Sequence, residues 1–199
     1  VITDGGKFKW DTEKYPGMKD FKKFGPFAYT AKLRNGLFRN TGACLSPQNA
    51  FYNSIGMETF GLRMERVCDN AKTLAQFFAT EYSDIEVNYP GLAGSKWHNI
   101  ATERFGDKFG GIITIRTGNK KRAFGIIDAL KLPLIVSNIG DTKTLVIHPE
   151  STLNVHSTQE EKETAGVFDD LIRISVGIED IDDLIDDFKQ AIESVKDVY

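Results

Sequence analysis

Asp170-Leu171-Ile172-Arg173-Ile174-Ser175-Val176-Gly177-Ile178-Glu179-Asp180 is the stretch whose reading decides the fold. Leu171, Ile172, Ile174 and Val176 give it the β-branched, apolar character of a buried strand. Gly177 ends that strand, and Asp180 stands where a helix cap belongs, with further acids in the turn that follows. A single guanidinium sits inside the strand. An arginine is always charged and is costly to bury without an anion, yet it can grip a carboxylate through two parallel hydrogen bonds. Two readings of Arg173 follow. It pairs with an acid of its own chain, or it is kept for an external carboxylate.

Downstream, Ile181, Leu184, Ile185, Phe188, Ile192 and Val195 fall on one stripe of a helix, while Asp182, Asp183, Asp186 and Asp187 are expected to face water. Acids in the first turn suit the helix dipole, so the acid run needs no metal. Upstream, residues 85–89, 111–116, 134–137 and 144–147 read as strands. Residues 121–131 read as a short helix, with another turn at 159–164, while residues 93–109 and the rest of 149–168 read as irregular. Ser46-Pro47 is a helix start, a hydroxyl cap followed by proline at the first helical position. A helix is expected from there to about residue 80, bent near Gly56 or Gly61. Its apolar side would carry Phe51, Ile55, Leu62, Val67, Ala71, Leu74 and Phe78, and Arg63, Glu65 and Arg66 would form a charged face. Residues 1–42, rich in Gly, Lys and aromatics and broken by Pro16 and Pro26, read as irregular and exposed. A long helix followed by short strands and helices makes an α+β fold: a mostly antiparallel sheet with helices packed on one face.

The composition excludes several classes. The net charge of −3, with acids scattered along the chain, argues against a nucleic-acid surface, which needs a basic face. No apolar run approaches the roughly 20 residues that cross a bilayer. Cys44 and Cys68, with His98, His148 and His156, lack the short spacing of a metal site, and both cysteines read as reduced thiols, which points to the cytoplasm.

The opening stretch also closely resembles the "LIRLSVGIEDxDDLI" signature of the Cys/Met-metabolism family of pyridoxal-phosphate enzymes. Five further segments resemble the same family, in the same order. They are Val1-Ile-Thr-Asp-Gly-Gly-Lys-Phe-Lys-Trp10, Leu45-Ser-Pro-Gln-Asn-Ala50, Gly56-Met-Glu-Thr-Phe-Gly-Leu-Arg-Met-Glu-Arg66, Asn88-Tyr-Pro-Gly-Leu92 and Ser137-Asn-Ile-Gly-Asp141 with Thr144-Leu-Val-Ile-His-Pro149. The Asp-Gly-Gly and Asn-Ile-Gly-Asp forms point to its O-acetylhomoserine sulfhydrylase branch.

The resemblance implies the C-terminal part of a fold-type-I pyridoxal-phosphate transferase. Residues 1–45 would end its large domain, 46–82 would be a long connecting helix, and 83–199 would be the substrate-binding α+β domain. Arg173 would hold the substrate α-carboxylate, with Asn138 donating beside it and the main chain near Ser137 the next contact. The short side chain of Asn138 equally suits the turn it sits in. The reaction implied is γ-replacement on O-acetylhomoserine: acetate leaves, and sulfide or methanethiol adds to give homocysteine or methionine. Pyridoxal 5′-phosphate is the implied cofactor, and a homotetramer of paired dimers the implied assembly.

The Schiff-base lysine of the family is expected upstream of Val1. No lysine of this chain lies in the Ser-x-[Thr/Ser]-Lys context, and His156-Ser157-Thr158-Gln159 has glutamine at that place. The chain alone is therefore expected to be inactive. Leu153 and Asn154 depart from the family's "HPASTTH", which puts polar support from that threonine in question. Cystathionine γ-synthase and the γ-lyases of the family remain alternatives, as does a non-catalytic interaction module.

Overall fold

A computed structural model describes residues 6–196, so residues 1–5 of the opening motif lie outside the described residues. Chain contacts divide the molecule into two units, Val1–Ile55 and Gly56–Tyr199.

In the first unit the expected irregular segment is mostly helical turns. A 3-10 helix covers Pro16–Phe27, broken at Gly25, whose φ of +54° is the left-handed region that glycine tolerates. It leads through α1 (Ala28–Leu33), a π turn (Arg34–Phe38) and α2 (Arg39–Thr41). These turns are short and broken by Pro16, Gly25 and Pro26, which mark an irregular segment in the sequence. Among the described residues of this unit only Met18 and Ala28 are buried. Trp10 instead stacks on Tyr29 at 5.1 Å and meets Phe8 edge-on at 4.7 Å. Helix α3 (Pro47–Glu58) starts as expected, with Ser46 Oγ accepting from the Asn49 amide at 3.2 Å.

The expected single helix ends at Glu58 and restarts as α4 (Phe60–Glu81). The break falls at Thr59 rather than at either glycine. Arg63 stabilises it, donating through Nη2 to the Gly56 carbonyl at 2.7 Å and through Nε to Thr59 Oγ1 at 3.2 Å. The buried stripe is confined to α4, where Val67, Ala71, Leu74 and Phe78 are covered; Phe51, Ile55 and Leu62 are exposed.

The second unit continues with β1 (Glu86–Asn88), α5 (His98–Phe105), β2 (Ile112–Arg116), α6 (Lys120–Ala129), β3 (Leu134–Ile135), β4 (Leu145–Ile147), α7 (Gln159–Thr164), β5 (Leu171–Ser175) and α8 (Ile181–Ser194). Helix α5 lies in the stretch expected to be irregular: it is short, and Ala101 is its buried residue. The strands form one sheet in the order β1-β2-β5-β4-β3, antiparallel except for the β3–β4 pair.

Strand alternation divides the sheet into two faces. Ile113, Ile115, Val146, Ile172, Ile174 and Val176 point into a core shared with Ala71, Leu74 and Phe78 of α4, Ala123 and Ile126 of α6, and Leu184, Phe188 and Ile192 of α8. The α+β architecture with helices on one face is thus present. The other face carries Thr114 and Arg116 from β2 and Arg173 and Ser175 from β5. Thr114 pairs with Arg173, and Arg173 with Ile147, across the strands.

One expectation about α8 fails. Asp187 is buried rather than solvated. Its carboxylate accepts from the amides of Lys131 and Leu132, at 2.9 and 2.8 Å, and from Gln190 Nε2 at 3.0 Å. Those amides follow α6, and the acid ties them to α8. Asp187 lies one turn after Leu184 and next to Phe188 on α8, so the packing of α6 against that side of the helix decides its exposure. Asp180 caps α8 as expected, accepting from the Asp182 amide at 3.0 Å.

Candidate active site

Arg173 is half-buried on the open face of the central strand. Burial pushes its guanidinium below the usual arginine range, though an arginine keeps its charge. Among the described residues no carboxylate lies within 4 Å of it, so the internal Arg–Asp pair is not formed. Its hydrogen-bond partners are main-chain carbonyls: Nη2 donates to Ser137 O at 2.6 Å and to Asn138 O at 3.3 Å. The Nε–H is buried and has no partner. A charged, partly desolvated guanidinium with an unused donor is poised for an anion.

The three residues singled out from the sequence do meet, though not in the expected way. Ser137 and Asn138 reach Arg173 through carbonyl oxygens. The Asn138 amide makes no hydrogen bond among the described residues, so it neither ties the turn nor touches Arg173. The strand expected at 134–137 shrinks to two residues, which leaves Ser137 and Asn138 in a loop.

That loop is anchored by groups the sequence reading gave no role. Gly140 N donates to Ser175 Oγ at 3.1 Å, and Ile178 N to Thr142 O at 2.9 Å. Thr144 donates to the Glu179 carboxylate through its amide at 2.5 Å and its hydroxyl at 2.9 Å. Gly177 N donates to Thr144 Oγ1 at 2.9 Å. The only sequence signal for these ties was the glycine followed by two acids, and it was absorbed by the helix start.

The His148-Pro149 segment is held separately. His148 is buried; Nε2 meets Asp169 O at 2.7 Å and Nδ1 meets Ser151 Oγ at 2.9 Å, while Thr152 Oγ1 donates to His148 O at 2.7 Å. Hydrogen bonds from Lys120 and Lys162 hold Glu150 down to about 2. An open cleft of about 830 Å³ on the β1–β2 side is lined by Asn88, Thr114, Arg116, Trp97 and Phe168, and Arg173 is not part of it. Among the described residues no group of three His, Cys, Asp or Glu side chains could hold a metal ion, and no helix is long and apolar enough to cross a membrane.

The chain is similar to several known proteins. Over 206 residues the chain is 36% identical to a sulfhydrylase of Fusarium oxysporum, covering 97% of this chain and 48% of the relative. Over 212 residues it is 37% identical to an O-acetyl-L-homoserine sulfhydrylase of Corynebacterium glutamicum, covering 98% and 48%. A Campylobacter jejuni structure that holds N′-pyridoxyl-lysine-5′-monophosphate superposes with a TM-score of 0.77 at 38% identity, covering 83% of this chain and 39% of that one. The chain thus spans about half the length of the curated relatives it matches. The family model for Cys/Met metabolism PLP-dependent enzymes matches residues 7–193, nearly the whole chain. This chain belongs to the Cys/Met metabolism family of pyridoxal-phosphate-dependent enzymes.

Proposed function

We propose that this chain supplies the carboxylate-binding part of a pyridoxal-phosphate-dependent O-acetylhomoserine sulfhydrylase, with residues 83–199 as the substrate-binding domain. One observation carries the reading: Arg173 stands on the open sheet face with a buried Nε–H that, among the described residues, has no partner, and with no acid among them beside it. A forked cation of this kind fits the carboxylate of an amino acid. It lacks the several converging donors that hold a phosphate, so the corner fits the substrate end of the site rather than the cofactor itself.

When bound, pyridoxal phosphate supplies the electron withdrawal that γ-replacement needs. The work of this chain's residues is to bind and orient. Arg173 fixes the α-carboxylate, which sets where the amine and the γ-carbon of the substrate lie. Asn138, whose amide is uncommitted, donates to the same carboxylate. The supporting names are those of the relatives, sulfhydrylases of O-acetylhomoserine among them. The exposed Phe51, Tyr52, Ile55 and Met57 of α3 suit burial in an assembly, read here as a homotetramer. The unpaired Cys44 and Cys68 suit the cytoplasm.

The test compares homocysteine formation from O-acetylhomoserine and sulfide with α-keto acid release from methionine, in the active enzyme carrying this chain. Homocysteine formation, lost on Arg173→Ala, is the expected result. Keto-acid release as the main activity would move the enzyme to the γ-lyases. Arg173→Ala kinetics equal to wild type would remove Arg173 from the site.

A further inference from the structure

The two carbonyls that hold Arg173 belong to a segment with little hold of its own. Ser137 and Asn138 follow the two-residue strand β3 and lack sheet partners. Their positions depend on ties to the end of β5 and the turn after it. Ser175 Oγ accepts from Gly140 N, Ile178 N donates to Thr142 O, and the Glu179 carboxylate accepts from both donors of Thr144.

Three features make Glu179 the centre of this arrangement. Its carboxylate has no cation within 4 Å among the described residues, so both oxygens serve Thr144, which is fully buried. The turn that carries it is pinned by α4: buried Asn70 donates to Gly177 O at 3.1 Å and to Glu179 O at 2.9 Å, and Arg66 Nη2 adds a third bond at 3.2 Å. The fit also leaves no room at Gly177, where a Cβ would lie 2.4 Å from Glu179 Oε2 and 2.5 Å from Thr142 O. A continuous path thus runs from α4 through Glu179 and Thr144 to the carbonyls on Arg173.

We propose that Glu179 is a positioning residue for Arg173: by clamping Thr144 it holds the 137–144 segment so that the guanidinium meets a ligand carboxylate in a fixed orientation. The proposal rests on the reading of Arg173 as the carboxylate anchor. In this proposal Glu179 acts on Arg173 only through Thr144 and the 137–144 segment. Its loss lets the carbonyls drift, and a misplaced guanidinium loses carboxylate affinity, not affinity for the rest of the ligand.

The experiment uses two probes on the active enzyme: homoserine, and 3-aminopropan-1-ol, the same molecule without its carboxylate. Binding is measured by calorimetry for wild type, Glu179→Gln, Ser175→Ala and Arg173→Ala, with melting temperature and hydrogen exchange of residues 137–144 followed in parallel. A guanidinium that drifts loses part of a charge-assisted hydrogen bond, so Glu179→Gln is expected to weaken homoserine by about tenfold. Its 3-aminopropan-1-ol affinity stays at the wild-type value, and exchange speeds up in 137–144. Ser175→Ala, which removes one tie only, shows a smaller loss of the same kind and serves if Glu179→Gln does not fold. Equal weakening of both probes, or a lower melting temperature with homoserine affinity intact, overturns the proposal while Arg173 keeps its role. If Arg173→Ala itself fails to discriminate the probes, the carboxylate reading falls and this inference with it.

Discussion

Two arginines sit on the same face of one sheet, on neighbouring strands, and have opposite surroundings. Arg116 of β2 is satisfied by its own chain. Its Nε donates to the buried Asp170 carboxylate at 2.9 Å, its Nη1 lies 3.6 Å from Glu86, and its guanidinium stacks 3.9 Å over Phe168. Arg173 of β5 has two carbonyls and an empty Nε. Residue type and sheet face are the same, so neither separates the roles. What separates them is whether the fold supplies an anion. Asp170, three residues before Arg173 in sequence, goes to the other arginine.

The comparison breaks most visibly at Arg173. Arg173→Ala is expected to cost on the order of 2–5 kcal/mol in kcat/KM, with a melting temperature near wild type. Arg173→Lys should fail substantially too, because an ammonium cannot reproduce the fork. A large loss of stability with intact kinetics would make Arg173 the structural arginine of the two.

The reverse pattern is expected at Arg116. Arg116→Ala leaves the buried Asp170 carboxylate with the Gly118 main-chain amide, 3.0 Å away, as its remaining donor among the described residues. Stability should fall by about 1–3 kcal/mol, read from urea midpoints, because a buried acceptor loses its charged partner. The kcat/KM of the folded fraction should not change. A kinetic loss as large as that of Arg173→Ala would erase the distinction.

A third buried charge sharpens the rule. Asp187 is an acid satisfied by neutral donors, and Asp187→Asn exchanges one acceptor oxygen for a donor that faces amide hydrogens. A destabilisation of about 1 kcal/mol is expected, with no kinetic effect. An unchanged urea midpoint would show that the ties to Lys131 and Leu132 contribute nothing.

The smallest effect concerns Glu150, whose two lysine partners are internal, as Asp170 is for Arg116. Hydrogen bonds from Lys120 and then Lys162 depress it from an ordinary 4.5 to about 2. A depressed carboxyl contributes stability that is present above its unfolded value and is lost as pH falls through the folded one. The stability difference between wild type and Glu150→Gln should therefore be constant above about pH 4.5 and shrink toward pH 2. A difference that stays constant across that range would show that the lysines do not stabilise the charged form.

Local pattern carried much of the architecture. The strand at 171–175, the cap at Asp180, the helix start at Ser46-Pro47 and the turn Gln159–Thr164 were all legible, because each depends on neighbours within a few residues. The motif order named the family, and Arg173, Ser137 and Asn138 were found together, 35 and 36 residues apart. The failures were of another kind. The helical turns of the first unit and α5 lack a long apolar period, and the break at Thr59 depends on how the Arg63 side chain folds back.

Charge partners were decided only by the tertiary structure. Arg116 finds Asp170 across 54 positions, Asp187 finds Lys131 across 56, and Glu179 takes Thr144 across 35. Sequence determines which groups are charged and which strand or helix carries them. Whether a charge is neutralised, solvated or left for a ligand depends on which distant element packs against it. A hydrogen bond needs its partners within about 3 Å and a charge pair weakens as they separate, and those distances are set by the assembled sheet and helices, not by separation along the chain.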